Sequence, residues 1–199
     1  IITSQVNFLQ FSENATAIGF SSSSHVVGPV KKTTNSINEF TFPIGNGSET
    51  RNITITPENT TASSYTVEFK NSAHSSVDWN IYSNGAPCGS GLDHIANGYW
   101  WDIERDPGSA DAYIGFNWVS DMLVDLPSEM LAVHYNSTTQ MWENIGNVIT
   151  SGSTSSSGRV TSSLPVSDFS PFNLGSSGSS NPLPIDLVSF TAECEESVV

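Results

Sequence analysis

The chain has 199 residues with 6 Lys and Arg against 20 Asp and Glu, a formal net charge of −14, and only 13% of its residues are charged. Such an acidic balance repels phosphate backbones and anionic lipid surfaces, which excludes nucleic acid as a partner, and no apolar run reaches the roughly 20 residues of a membrane-spanning helix. Solubility comes instead from abundant Ser, Thr, Asn and Gly, a composition suited to a secreted β-protein; residues 1–20 lack a signal peptide's basic start and apolar centre, which places any such signal upstream or removed.

Residues 1–30 read as N-terminal strands, including "QVNFLQF", which either belong to this fold or close an upstream domain. From residue 31 the apolar side chains alternate with polar ones, the period of a strand with one buried face. Phe40, Phe42 and Ile44 alternate, then Ile53 and Ile55, then Tyr65, Val67 and Phe69, then Val77, Trp79 and Ile81. Tyr99, Trp101 and Ile103 follow, then Ile114, Phe116 and Trp118, then Leu131, Val133 and Tyr135. Turn-forming clusters such as "GNGS", "PENTT", "DPGSAD" and "LPSE" separate these runs.

No stretch of similar length repeats at helical spacing. The expectation is an all-β fold, an antiparallel β-sandwich of jelly-roll or Ig-like type with extended terminal strands, and its body spans residues 31–175. "TSGSTSSSG" at 150–158 reads as an exposed loop, and residues 176–184, within "GSSGSSNPLP", read as a flexible linker. In residues 185–199, Val188, Phe190, Ala192 and Cys194 alternate on one strand face, and no later strand covers them. That ribbon belongs to a following domain, a partner chain or an edge of the sandwich. Ile185, Leu187, Val188 and Phe190 are the expected inter-subunit contacts, with "QVNFLQF" as the other candidate for strand exchange.

Local motifs for chemistry are sparse. There is no G-x-S-x-G elbow, no H-E-x-x-H pair and no phosphate-binding glycine loop, and His25, His74, His94 and His134 lie far apart, so no enzyme is expected. The densest constellation is "GYWWDIERDPGSADAYIGFNW". If Tyr99, Trp101 and Ile103 face the core, Trp100, Asp102 and Glu104 turn outward together. An outward Trp beside carboxylates can stack on a sugar ring while the carboxylates accept its hydroxyls, or it can be covered by a loop or a neighbouring subunit. Asp102, Glu104, Asp106 and Asp111 also place four oxygen ligands around one turn; a solvated acidic turn is the preferred reading, with calcium as the alternative. No other cofactor is indicated. Cys88 and Cys194 either pair with each other or remain independent thiols. Five N-x-[ST] sequons, beginning at Asn14, Asn46, Asn52, Asn59 and Asn136, mark exposed polar turns.

Four passages in order, "SSSSHVVGPVKKT", "FTFPIGNG", "YWWDIER" and "FSPFNLGSSGSSNPLPIDLVSFTAECE", resemble large exported surface proteins of the Bacteroidetes type, substrates of type IX secretion. The resemblance covers roughly residues 20–196, and its last passage is the most specific. In that family the passage leads toward an Ig-like segment and a C-terminal export signal, whereas this sequence stops at Val199. The resemblance implies a piece of a longer adhesin-like or structural protein at the cell surface, without catalytic residues. The resulting expectation is a structural or adhesive module, or an extracellular filament subunit, associating with its own kind or with neighbouring domains. A carbohydrate-binding module that recognises surface glycans is the alternative, and an accessory domain of a hydrolase is the weakest third.

Overall fold

Alternation of buried and half-exposed residues along much of β5, β7 and β8 determines which faces meet. In β5, Ser63–Lys70, the side chains of Tyr65, Val67 and Phe69 are buried while Thr66, Glu68 and Lys70 are partly open. In β7, Trp100–Arg105, Trp101 and Ile103 are fully buried between half-exposed Trp100 and Asp102. The same rule holds in β8, Ala112–Val119, where Ile114, Phe116 and Trp118 point inward. These observations come from a computed structural model that describes residues 1–75, 88–169 and 171–183. The run expected around Val77, Trp79 and Ile81, and the ribbon with Ile185, Leu187, Val188, Phe190 and Cys194, lie outside the described residues.

The remaining strands are β1 (Leu9–Phe11), β2 (Val30–Thr34), β3 (Phe40–Phe42), β4 (Ile53–Pro57), β6 (His94–Ile95), β9 (Met130–Asn136), β10 (Met141–Gly146), β11 (Val148–Ile149), β12 (Ser157–Thr161) and β13 (Phe172–Ser176). They form two sheets packed face to face, a β-sandwich. The larger runs β1-β2-β5-β7-β13-β9-β10, with β6 also paired to β13; the smaller runs β11-β12-β8-β4-β3. All pairs are antiparallel except β1 with β2.

Between the sheets lies one aromatic core. Trp101 of the larger sheet packs 5.3 Å from Phe116 of the smaller, and Phe116 lies 6.1 Å from Phe172. Each such side chain contributes roughly 1.5–3 kcal/mol through burial. Two of its polar tips are paired with main-chain oxygens, Trp101 Nε1 donating to Arg51 O at 2.9 Å and Tyr65 OH to Ala110 O at 2.7 Å, whereas the Tyr99 hydroxyl is buried without a hydrogen-bond partner among the described residues.

The packing refines three readings. In β9 the inward residues are Met130 and Ala132, whereas Leu131 and Val133 face the opposite side, where they join Leu92, Ile95 and Trp142 in a second apolar cluster, with Tyr135 half-buried against it. Both faces of β9 are covered, so alternation alone could not reveal its orientation. Residues 1–30 pack on this sandwich: Leu9–Phe11 pair in parallel with Val30–Lys32, and Ile2 bridges to Val27. "QVNFLQF" therefore finds its β-partner within its own chain.

The third concerns the linker. Residues 176–183 are bound to the body, because Ser177 N donates to Glu129 O at 2.9 Å and Leu183 is only 1% exposed. Asn181, fully buried, accepts from the main-chain N–H groups of Asp125 and Leu126 and donates to Leu126 O and to Ser176 Oγ. The described body thus extends through Leu183.

The two flanks of the sandwich differ. On one, the chain passes directly from β10 in the larger sheet to β11 in the smaller, tied down by Ser163 N donating to Ile145 O at 2.9 Å. Gly146 at this corner adopts φ +154°, and a Cβ there would overlap the main-chain nitrogen of Ser163. On the other flank, Val26 bridges to Ile44 beyond the end of β3 before the chain continues into β2. Past that bridge, β3 pairs only with β4, and β1 only with β2, among the described strands.

Candidate functional site

The flank bounded by β1 and β3 carries the main candidate site. Rings from its two margins touch: Phe11 lies 5.1 Å from Phe40, and Phe40 meets Phe42 edge-on at 4.9 Å. Beside them opens a cavity of about 370 Å³ lined by Leu9, Phe11, Ala17, Phe20, Val26 and Pro43. Ile18 stands at the cavity wall with 88% of its surface exposed, a large apolar side chain left in water.

Lys32 holds that wall in place. The parity of "VKKTT" puts Val30, Lys32 and Thr34 on the buried face of β2. The Lys32 ammonium donates to Ser12 O, Glu13 O and Ala15 O at 2.7, 2.8 and 2.8 Å, which satisfies its three N–H donors, and it lies 4.9 Å from the Phe40 ring centre. Burial pushes its pKa below the ordinary lysine value, and Glu13 opposes that shift. This role was hidden in the sequence, where Lys31 and Lys32 look like a small basic pair; the signal is a lysine at a buried strand position.

His25 anchors the base. Its Nδ1 is 3.1 Å from Ser21 O, and Nε2 accepts from the Gly47 N–H at 3.1 Å, an arrangement that places the proton on Nδ1. "SSSSH" is therefore a short turn, closed by Ser21 and Ser24 and pinned to the "GNGS" turn by the imidazole.

The constellation around Trp100, Asp102 and Glu104 occupies the other face of the larger sheet. The ring of His74 meets Trp100 edge-on at 4.6 Å and lies 6.0 and 6.1 Å from Tyr135 and Trp142. Burial lowers the His74 pKa, while the nearby Asp102 pulls it upward. Asp102 lies across the ladder from Glu68, whose carboxylate is engaged by Lys70 at 2.6 Å and Gln5 at 3.0 Å; Glu104 is exposed. The structure therefore brings Trp100 and Asp102 to His74 and leaves Glu104 further along the strand.

The calcium arrangement does not assemble. Asp102 and Glu104 lie on extended β7 rather than in a tight loop, and Asp111 is paired at 2.9 Å with Arg105, which stacks 4.8 Å from the Phe169 ring. Asp106 offers its main-chain oxygen to Lys31 at 2.9 Å. Among the described residues, no group of three or more His, Cys, Asp or Glu side chains is placed to hold a metal ion.

Nor do His25 and His94 form a nucleophile–base pair in their observed contacts. His25 binds main-chain groups, and His94 bridges Asp93 Oδ2 and Asn181 O, each at 2.8 Å. Cys88 is in no disulfide with a described residue; burial, reinforced by Asp93, raises its thiol pKa and disfavours the reactive thiolate. No family model, curated protein or solved structure matches the chain.

Proposed function

We propose that this chain is a non-catalytic structural or adhesive module of a secreted bacterial surface protein or extracellular filament, joined to its neighbours by β-strand addition. The observation that carries the reading is the inequality of the flanks. One is sealed by the β10–β11 crossover, while the other pairs two sheet margins with a cavity whose lining mixes apolar side chains with Thr16, Ser23, Ser24 and His25. Strand addition requires these elements: a margin for main-chain hydrogen bonds and pockets for alternate side chains. The acidic, hydroxyl-rich surface and the resemblance to exported surface proteins support an extracellular setting.

The test is removal of residues 184–199, a cut placed after Leu183 because Asn181 and Leu183 belong to the folded body. Light scattering should show loss of assembly while the melting midpoint stays unchanged. Assembly that survives the cut counts against strand addition by this segment.

A carbohydrate-binding module is the second reading, favoured by half-exposed Trp100 beside Asp102 in the aromatic group around His74. Specific glycan-array binding that disappears in Trp100→Ala would support it.

A further inference from the structure

We infer that the cavity on the β1/β3 flank is the acceptor for residues 185–194 of a second copy of this chain. This rests on the strand-addition reading and specifies where the strand binds. The position beside the smaller sheet is already half used: Val26 N donates to Pro43 O at 2.8 Å and Gly45 N to Val26 O at 2.9 Å, so residues around Val26 run alongside Pro43–Gly45 as an added strand. The chain leaves that position at the Ser21–Ser24 turn, and beside Phe40–Phe42 no described strand takes it up. The cavity opens next to this stretch, at Pro43 just past the end of β3, and its lining brings together Phe20 and Val26 with Leu9 and Phe11 of the opposite margin.

The proposed occupant matches in chemistry and reach. Val188, Phe190 and Ala192 alternate, so a strand carrying them presents three apolar side chains to one side across about 13 Å. Phe11 and Phe20, both in the cavity lining, offer the Phe190 ring aromatic partners. Residues 184–199 add 16 residues beyond buried Leu183, about 50 Å if extended, enough to reach a neighbouring sandwich. Main-chain pairing with β3 would extend the smaller sheet by one strand from another molecule.

Two full-length variants test this. Ile18→Asp places a charge at the cavity wall, at a side chain so exposed that the fold should persist, which an unchanged melting midpoint verifies. Phe190→Asp disables the incoming ribbon. By light scattering the unmodified chain should form particles larger than a dimer, and each variant alone should be monomeric. An equimolar mixture should stop at a dimer, because only the Ile18→Asp ribbon and the Phe190→Asp cavity remain intact. A mixture that stays monomeric overturns the inference. If Ile18→Asp assembles like the parent while Phe190→Asp does not, the cavity is wrong and strand addition survives. If Phe190→Asp assembles like the parent, both fail. A monomeric parent destabilised by Phe190→Asp would place the ribbon in its own molecule and likewise overturn exchange between copies.

Discussion

Replacing Asn181 with Ala removes the clasp that binds residues 176–183 to the sandwich. The side chain is fully buried and makes four hydrogen bonds, to Asp125 N, Leu126 N, Leu126 O and Ser176 Oγ, at 2.7 to 3.1 Å. A net 0.5–1.5 kcal/mol for each would sum to about 4 kcal/mol, but Asp125 and Leu126 are themselves exposed and water can restore part of the loss. The expected cost is about 2–3 kcal/mol, equivalent to a fall of roughly 5–10 °C in melting midpoint for a chain of this size. Urea denaturation followed by tryptophan fluorescence would measure it, with hydrogen exchange at the Asp125 and Leu126 amides as a local probe. A loss below about 0.5 kcal/mol with unaltered exchange would refute the claim that this Ser- and Gly-rich stretch is integral to the body.

Gly146→Ala should destabilise the sealed flank by more than about 1 kcal/mol, since the new Cβ meets backbone that cannot swing aside; urea denaturation reports it. His74 has a folded-state pKa depressed below 6.5, chiefly by burial with Asp102 opposing, so the unfolded chain binds its proton more readily. Its contribution is present above that value and is lost as pH falls below it. His74→Phe should consequently reduce the stability lost between about pH 7.5 and about pH 5.5 in paired urea titrations. Excess EDTA should leave the thermal midpoint unchanged, because Asp102, Glu104, Asp106 and Asp111 do not converge; a fall on chelation would restore the calcium reading.

Alternation revealed the one-sided strands well: the inward faces of β5, β7 and β8 follow from Tyr65, Trp101 and Phe116 with their neighbours two residues away. It failed where both faces are covered, as in β9, because Leu131 and Met130 are equally apolar and only tertiary packing assigns them to different clusters. Composition misled at residues 176–183 for a related reason. Small polar residues signal a loose linker, yet they also suit close approach: Gly178 sits where a Cβ would crowd the Glu129 carboxylate, and Ser176 Oγ donates to Gly178 O at 2.7 Å. The flank cavity was illegible because it depends on which strands become margins. That is a property of long-range pairing, to which local sequence offers few clues.

Where β13 sits governs how the molecule would carry tension. Its first residue pairs with both β7 and β9, and its last two pair with both β6 and β9, so it has partners on either side at each end. A pull transmitted through Leu183 would load the Asn181 clasp to Asp125 and Leu126 first, and β13 only once that clasp gives way. The ladders on both sides would then be loaded in shear together, instead of opening bond by bond as a peeled outer strand does. In a chain of such units, the load would then pass into a strand braced on both sides within the larger sheet.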